Sequence, residues 1–223
     1  MTLPDRVPEG TETAGPRRRG RRPAGRALKR DLILEAARAV FETEGLDGAS
    51  LRAIAAKAGY TPAALYFHFE SKEAIYAAVL QASMDRLGLA TRRRVARAAD
   101  PAGRLRAAAL GFFEFYEKNP RDLDLGFYLF RGGMKPRGLG PEHDRALNAA
   151  LAAQLEPIAA AAQELGAPRA AAERLMVDCF AHAAGLLLLA HTGRIRMFGA
   201  SAPQLMAAYL EEKLAQLGAV PRG

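Results

Sequence analysis

The chain has only one cysteine, Cys179, in 223 residues, which excludes an internal disulfide and favours a reducing compartment. β-branched residues are scarce beside alanine and leucine, so helix is favoured over strand. No apolar run near the N-terminus resembles a signal peptide. The longest apolar stretch, Ala183 to Ala190, is far shorter than the ~20 residues that span a bilayer. We therefore expect a soluble, cytoplasmic, all-helical protein.

The sequence also lacks the short motifs of common enzyme classes. It has no HExxH, no CxxC, no glycine loop of the phosphate-binding type and no serine in a G-x-S-x-G setting. His182 and His191 are nine residues apart, which is not a zinc-ligand spacing. We therefore expect no catalytic residues, no metal site and no cofactor.

Positive charge is concentrated near the N-terminus. The net charge of +8 equals the charge of eight basic residues that have no acid among them: Arg17, Arg18, Arg19, Arg21, Arg22, Arg26, Lys29 and Arg30. Residues 1–26 mix Pro, Gly, Thr and Arg without apolar periodicity and are expected to be a disordered arm. A basic arm before a folded domain is typical of a nucleic-acid contact, and a tail that only aids solubility is the alternative.

Apolar periodicity and capping residues predict roughly nine helices. The first runs from Leu28 to about Glu44, where Gly45 suits a left-handed cap. Further helices are predicted at 51–58, from Pro62, from Ser71 past Leu87, and at about 101–118, 120–131, 141–165, 168–192 and 201–217. The stretch from Gly132 to Pro141 is the only long loop.

The segment LRAIAAKAGYTPAALYFHF, residues 51–69, has the internal spacing of a helix-turn-helix. Ala55 is small enough for the second helix to cross close by, and Gly59 lies where the backbone reverses direction. Ile54 and Leu65 are expected to face inward. The second helix is short, and its exposed first turn is free to enter a major groove. On spacing alone, a packed helix pair of any α protein is the alternative.

The wider segment GLDGASLRAIAAKAGYTPAALYFHFESKEAIYAAVL resembles the N-terminal DNA-binding domain of the tetracycline-repressor (TetR) family. Its most specific element is Leu65-Tyr66-x-His68-Phe69 followed by Ser71-Lys72-Glu73. Beyond it, the resemblance is only architectural. It implies a DNA-binding domain at 27–87 and an effector-binding and dimerisation domain at 88–223, after the arm at 1–26.

The resemblance also implies which residues contact DNA. These are Ser50, Arg52, Thr61, Pro62, Ala63, Ala64, Tyr66, Phe67, His68 and Lys72. Leu65 and Phe69 are expected in the core, and the alternative for Tyr66, Phe67 and His68 is a structural role. Many family members carry Ser-x-Gly-Thr where this chain has Thr-Pro-Ala-Ala, which offers few hydrogen bonds to base edges. Contacts with thymine methyl groups and DNA shape therefore matter more.

Aromatic residues between 112 and 130 predict an apolar pocket for a small-molecule effector, itself apolar or aromatic. The candidate lining residues are Phe112, Phe115, Tyr116, Phe127, Tyr128, Arg131, His143 and His182. The alternative is an ordinary aromatic core, with the polar residues at the surface.

The last two helices predict a dimerisation surface, with an intramolecular core as the alternative. The apolar positions are Leu175, Met176, Cys179, Phe180, Ala183, Leu186, Leu187, Leu205, Tyr209, Leu210, Leu214 and Leu217. Two copies would form a four-helix bundle across a two-fold axis, which matches a palindromic operator. Cys179 is expected to be buried and inert, with a redox sensor as the alternative.

These features together predict a homodimeric repressor that a small-molecule effector releases from its operator. Activation of transcription is the alternative sign of regulation. A non-specific architectural DNA binder is a further alternative, which operator selectivity at physiological salt would distinguish.

Overall fold

The computed structural model describes residues 21–126 and 138–218, with side chains from Ala27 onward. This part of the chain contains α-helices and one short 3₁₀ helix but no strand, which confirms the all-helical prediction. The helices are α1 (Arg21–Gly48), α2 (Leu51–Ala58), α3 (Pro62–Tyr66), α4 (Lys72–Val95), α5 (Pro101–Lys118), α6 (Pro120–Gly126), α7 (Pro141–Glu164), α8 (Arg169–His191), the 3₁₀ helix (Arg194–Phe198) and α9 (Ala202–Gly218).

Capping side chains define several helix starts as the sequence predicts. Ser71 accepts a hydrogen bond from the Ala74 N–H at 3.0 Å, so α4 begins at the next residue. Asp100 caps α5, and proline occupies the first turn of α5 and α7. These positions suit proline because the first N–H groups of a helix have no intrahelical partner.

The first helix departs from the prediction at both ends. It begins at Arg21, so residues 21–26, assigned to the disordered arm, are helical. Near its end Gly45 has φ 68° and ψ −178°, a kink after which a helical turn continues to Gly48. The positive φ was expected, but the ψ is extended rather than left-handed helical. Residues 1–20 of the arm and most of the predicted loop lie outside the described residues.

Two apolar clusters form the core, and α4 contributes to both. The first half of α4, with Ile75 and Tyr76 fully buried, packs with α1, α2 and α3. Leu87, further along α4, belongs to the cluster formed with α5, α7, α8 and α9. Leu125 and Leu147 from the second half of the chain join the first cluster. One continuous helix therefore packs against both the helix-turn-helix and the C-terminal helices.

Helix α8 is apolar along most of its length. By length and composition alone it is the one helix of the described residues that could cross a membrane. Core helices of soluble proteins satisfy the same criterion, so this is weak support for a membrane span. The eight-residue apolar run identified from the sequence therefore belongs to a longer apolar helix of 23 residues.

Many of the α8 residues predicted to form the dimer surface are buried within the protomer's own core. Leu175, Cys179, Ala183, Leu186 and Leu187 are buried against neighbouring helices of the same chain. For these residues the structure corrects the prediction in favour of the intramolecular alternative, because their face of α8 points at α5 and α7. A different face of the same helix remains exposed.

Candidate nucleic-acid interface

The helix-turn-helix is organised by two hydroxyl caps. Ser50 accepts from the Ala53 N–H at 3.1 Å and begins α2, and Thr61 accepts from the Ala64 N–H at 3.3 Å and begins α3. Each cap uses one lone pair of a hydroxyl oxygen. The O–H proton of each residue is therefore still available to a phosphate oxygen, which is compatible with the predicted DNA contacts.

The turn between α2 and α3 depends on Gly59. This residue is left-handed, with φ 71° and ψ 29°, and the following N–H, of Tyr60, donates to the carbonyl oxygen of Ala55 at 2.9 Å. Ala55 and Ile54 are fully buried where the two helices meet. The expected inward orientation of Ile54 is confirmed, and the small Ala55 is buried beside it.

The exposed face of this motif carries most of the predicted DNA-contacting side chains. Tyr66 is 59% exposed and Phe67 is 80% exposed, which excludes the alternative that these two rings are packed in the protomer's core. The remaining predicted positions divide by exposure. Five are exposed: Ser50, Arg52, Thr61, Pro62 and Ala63. Three are half-buried: Ala64, His68 and Lys72. Leu65 and Phe69, predicted as core, are buried.

Lys72 has a structural contact that the sequence did not indicate. Its ammonium group donates to the carbonyl oxygen of Ala49 at 3.0 Å, which ties the start of α4 to the loop between α1 and α2. An ammonium has three protons, so one such bond leaves two for a phosphate. The residue therefore both fixes the motif and keeps the capacity for the predicted contact.

Arg30, one of the basic residues near the N-terminus, makes a contact that the sequence did not indicate. Its guanidinium carbon lies 4.7 Å from the centroid of the Phe69 ring. This cation–π contact joins the N-terminal half of α1 to the segment that follows α3. The sequence carried no signal for this pair, because the partners are 39 positions apart and neither type is unusual there.

A buried acid on α6 links α1 and α4. Asp122 on α6 is 1% exposed, and its carboxylate accepts from Arg38 on α1 at 3.3 Å and from Arg86 on α4 at 2.7 Å. The Tyr76 hydroxyl on α4 donates to the carbonyl oxygen of Leu125 at 2.9 Å, also on α6. Short α6 is therefore bonded to both α1 and α4.

The candidate effector residues are not gathered at one place within the described residues. Phe112, Phe115 and Tyr116 lie together on α5, and the Phe112 and Tyr116 rings make an edge contact at 5.0 Å. Burial, with the charge of Asp122, raises the pKa of Tyr116 to about 12. Phe127, Tyr128 and Arg131 lie outside the described residues.

The two candidate histidines are elsewhere. His143 on α7 lines a groove of about 490 Å³ beside Tyr66, Phe67 and His68 of the helix-turn-helix. The His182 ring stacks on Tyr209 of α9 at 4.0 Å, and burial lowers its pKa. Neither histidine is placed beside the aromatic residues of α5, so the described residues bring three of the eight candidates together.

Cys179 is buried in the C-terminal cluster, and burial raises the pKa of its thiol to about 12. A thiol of this kind is a poor nucleophile near neutral pH, which agrees with the inert role expected for it. Within the described ranges, no group of three His, Cys, Asp or Glu side chains is placed to hold a metal ion.

Residues 33–79 match the family described as "Bacterial regulatory proteins, tetR family". The HTH-type transcriptional activator FasR of Mycolicibacterium smegmatis is 40% identical over 114 residues. That alignment covers 51% of this chain and 52% of FasR, so the chain matches about half the length of this curated relative.

Solved structures share the fold over most of the chain. A TetR-like transcriptional regulator from Rhodococcus sp. RHA1 has a TM-score of 0.64 at 21% identity, covering 85% of this chain and 97% of that one. The regulator FadR of Bacillus subtilis, in complex with stearoyl-CoA, has a TM-score of 0.61 at 16% identity, covering 81% and 95%. Residues 33–79 are therefore similar to the matching part of the tetR family, and the chain shares the fold of the TetR-like regulator from Rhodococcus sp. RHA1.

Proposed function

We propose that this chain is a homodimeric repressor that binds a palindromic operator through α2 and α3 and leaves it when a small apolar or aromatic molecule binds the C-terminal domain. The observation that carries the DNA-binding part is the exposed recognition face. Large aromatic side chains such as Tyr66 and Phe67 are rarely left in water without a partner on a rigid motif. The grooves and backbone of DNA provide such a partner.

Charge supports the same surface. Lys29, Arg30, Arg52 and Lys57 are all exposed on the DNA-binding helices, and Lys72 is half-buried beside them. Basic side chains around a recognition helix neutralise phosphates and position the protein on the duplex. The sequence before α1 contains Arg17, Arg18 and Arg19, which lie outside the described residues.

Dimerisation is supported by an apolar surface that one protomer leaves uncovered. Val177 and Leu188 on α8 are more than half exposed, and Leu205 at the start of α9 is 41% exposed. An apolar surface on two adjacent helices is typical of a subunit interface. A two-fold axis through this surface presents two recognition helices to the two halves of a palindrome.

The coupling between effector and DNA follows from α4 and α6. An effector among the α5 aromatics lies beside Tyr116, whose neighbours include the Asp122–Arg86 pair. A displacement there is passed along α4 to the helix-turn-helix, because α4 is one continuous helix. The stearoyl-CoA of FadR makes a long-chain acyl thioester a sensible first probe.

The DNA-binding part is tested by selecting bound fragments from genomic DNA and measuring affinity for the best site at ~150 mM salt. Arg52→Ala and Tyr66→Ala are expected to weaken that affinity at least tenfold without loss of helical content. The matched control is Arg93→Ala, an exposed arginine about 30 Å away along α4. Equal affinity of all four proteins would overturn the assignment of this surface.

The sign of regulation needs a separate measurement, since FasR is named an activator. Transcription in vitro from a promoter that carries the selected site is compared with and without the protein. Lower transcript levels with the protein, restored by an acyl thioester, support the repressor. Higher levels with the protein contradict it and favour an activator on the same DNA-binding surface.

A further inference from the structure

The 3₁₀ helix after α8 holds two large apolar side chains out in solvent. Met197 is 79% exposed and Phe198 is 75% exposed. Their backbone is not loosely attached, because Ile195 in the same turn is buried in the C-terminal cluster. Left-handed glycines on both sides, Gly193 at φ 72° and Gly199 at φ 62°, define the turn. The result is a fixed apolar projection with Arg194 and Arg196 exposed beside it.

A groove of complementary character lies at the other end of α8. It measures about 500 Å³ between α7 and α8 and is lined by Ala152, Ala153, Glu156, Ala159, Gln163, Arg169, Glu173 and Met176. The floor is made of alanines and a methionine, and the rim carries two acids. Glu173 already accepts from Arg169 at 2.7 Å, an exposed pair that leaves the groove with a net negative rim.

An apolar stripe on the outward face of α8 connects the projection and the groove. Ala170, Val177, Ala181, Ala184 and Leu188 recur at three-, four- and seven-residue spacing, which places them on one side of the helix. All are exposed except Ala184, which is half-buried. The three alanines allow a second helix to approach closely.

We propose that two copies of this chain pair α8 with α8 in antiparallel orientation, so that the 3₁₀ projection of each enters the α7–α8 groove of the other. The inference rests on the proposed homodimer and adds its register and specificity. When Leu188 of one copy lies opposite Val177 of its partner, the two-fold axis brings residues 194–198 beside the first turn of the partner's α8. That turn forms one end of the groove.

Charge selects this orientation over a parallel one. In the antiparallel pair, Arg194 and Arg196 of each copy approach Glu156 and Glu173 of the other. In a parallel pair, Arg194 and Arg196 of one copy would face the same two arginines of the other. The two apolar projections would then contact each other, and neither would enter a groove. Opposite charges at a partly desolvated rim attract and like charges repel, so the register is specified by electrostatics as well as shape.

Cysteine cross-linking tests the register directly on the full chain. A mixture of Phe198→Cys and Glu173→Cys proteins is expected to form a disulfide-linked dimer on mild oxidation, while each variant alone forms far less. Cys179 is present in all samples and is buried, so it supplies the background. Phe198→Cys cross-linking to itself as efficiently as in the mixture would show a parallel pairing and overturn the proposal.

Charge reversal provides a second readout, by sedimentation at a series of concentrations. Arg194→Glu/Arg196→Glu and Glu156→Lys/Glu173→Lys are each expected to weaken self-association at least tenfold, and an equimolar mixture of the two is expected to recover it. Arg93→Glu/Arg97→Glu, on exposed residues at the end of α4 and just after it, is the matched control. A wild-type monomer would overturn the homodimer as well. A wild-type dimer that both reversals leave unchanged would overturn only this register.

Discussion

Arg86 and Asp122 meet across 2.7 Å, yet the carboxylate is 1% exposed and the arginine side chain 45% exposed. The carboxylate is therefore almost fully desolvated, while the guanidinium group is still partly hydrated. Arg38 supplies the second bond to the same carboxylate at 3.3 Å. A desolvated charge is tolerated only when such partners replace its hydration. Loss of the two arginines would therefore leave a buried charge without these hydrogen bonds. Loss of Asp122 would leave two guanidinium groups that water still reaches.

Removal of both arginines is expected to destabilise the fold more than removal of the acid. Arg38→Met/Arg86→Met leaves a buried carboxylate without these two partners and should cost about 3–5 kcal/mol in the free energy of unfolding. Asp122→Asn leaves two guanidinium groups that water still reaches and should cost less. Urea titrations monitored by circular dichroism measure both values. Equal losses would contradict the asymmetry.

A matched control for these arginine variants is Arg121→Met. Arg121 bonds to Glu42 at 3.2 Å, but its side chain is 76% exposed. A surface pair of this kind contributes about 0–1 kcal/mol, so the unfolding midpoint should barely move.

Gly59→Ala is expected to destabilise the DNA-binding domain through its backbone alone. A Cβ at this position would meet no atom within 4 Å, but φ is +71°. The left-handed conformation costs an alanine about 1–2 kcal/mol, and asparagine tolerates it better. Thermal melts of Gly59→Ala and Gly59→Asn should therefore rank wild type above Asn above Ala. An alanine variant as stable as wild type would disprove the strain argument.

Deletion of residues 1–20 is expected to reduce the salt dependence of operator binding and leave operator preference unchanged. The deletion removes Arg6 and the run Arg17, Arg18 and Arg19 without cutting into α1, which begins at Arg21. The slope of log affinity against log salt should fall by up to ~0.9 for each arginine that contacts a phosphate. Replacing Arg17, Arg18 and Arg19 by alanine in the full chain tests the charge of this run without shortening the chain. An unchanged slope in both proteins would leave the arm with no DNA contact.

Stability should fall as pH rises above about 9. Burial raises the pKa of Cys179 and of Tyr116 to about 12, so the folded chain keeps protons that the unfolded chain releases near pH 9 and 10. The folded state binds more protons there, and its free energy of unfolding therefore decreases with pH. Urea midpoints at pH 8, 9, 10 and 11 for wild type and Cys179→Ala/Tyr116→Phe give the test. The double variant should lose less stability over this range.

Phe112→Ala and Phe115→Ala are expected to separate core packing from effector binding. Phe112 is buried against Tyr116 and Phe180, so its truncation should cost about 3–5 kcal/mol. Phe115 is only partly buried, so its truncation should cost less and weaken the response to an effector more selectively. Operator release is measured against acyl thioester concentration alongside the melts. A Phe115 variant that responds at the wild-type concentration would contradict its place in the pocket.

Local physics made much of the DNA-binding half predictable from the sequence. The α2 bounds and the turn at Gly59 follow from rules that act within a few residues. Ile54 and Leu65 were expected to face inward as the apolar residues of the helix-turn-helix, and Phe69 was expected in the core from the family resemblance. The structure buries all three. The 3₁₀ helix at 194–198 escaped prediction because one short turn carries no periodic signal.

Long-range partnerships were decided only by the tertiary structure. In the sequence, Asp122 is an ordinary acidic residue of a predicted helix. Its partners Arg38 and Arg86 are 84 and 36 positions away and come close only when α1 and α4 pack against α6. The apolar residues of α8 divide between the chain's own core and an exposed stripe according to which neighbours pack on each side. Periodicity identifies an apolar helix, but it does not specify what covers each face. The positions of the neighbouring helices determine which face is buried and which is exposed.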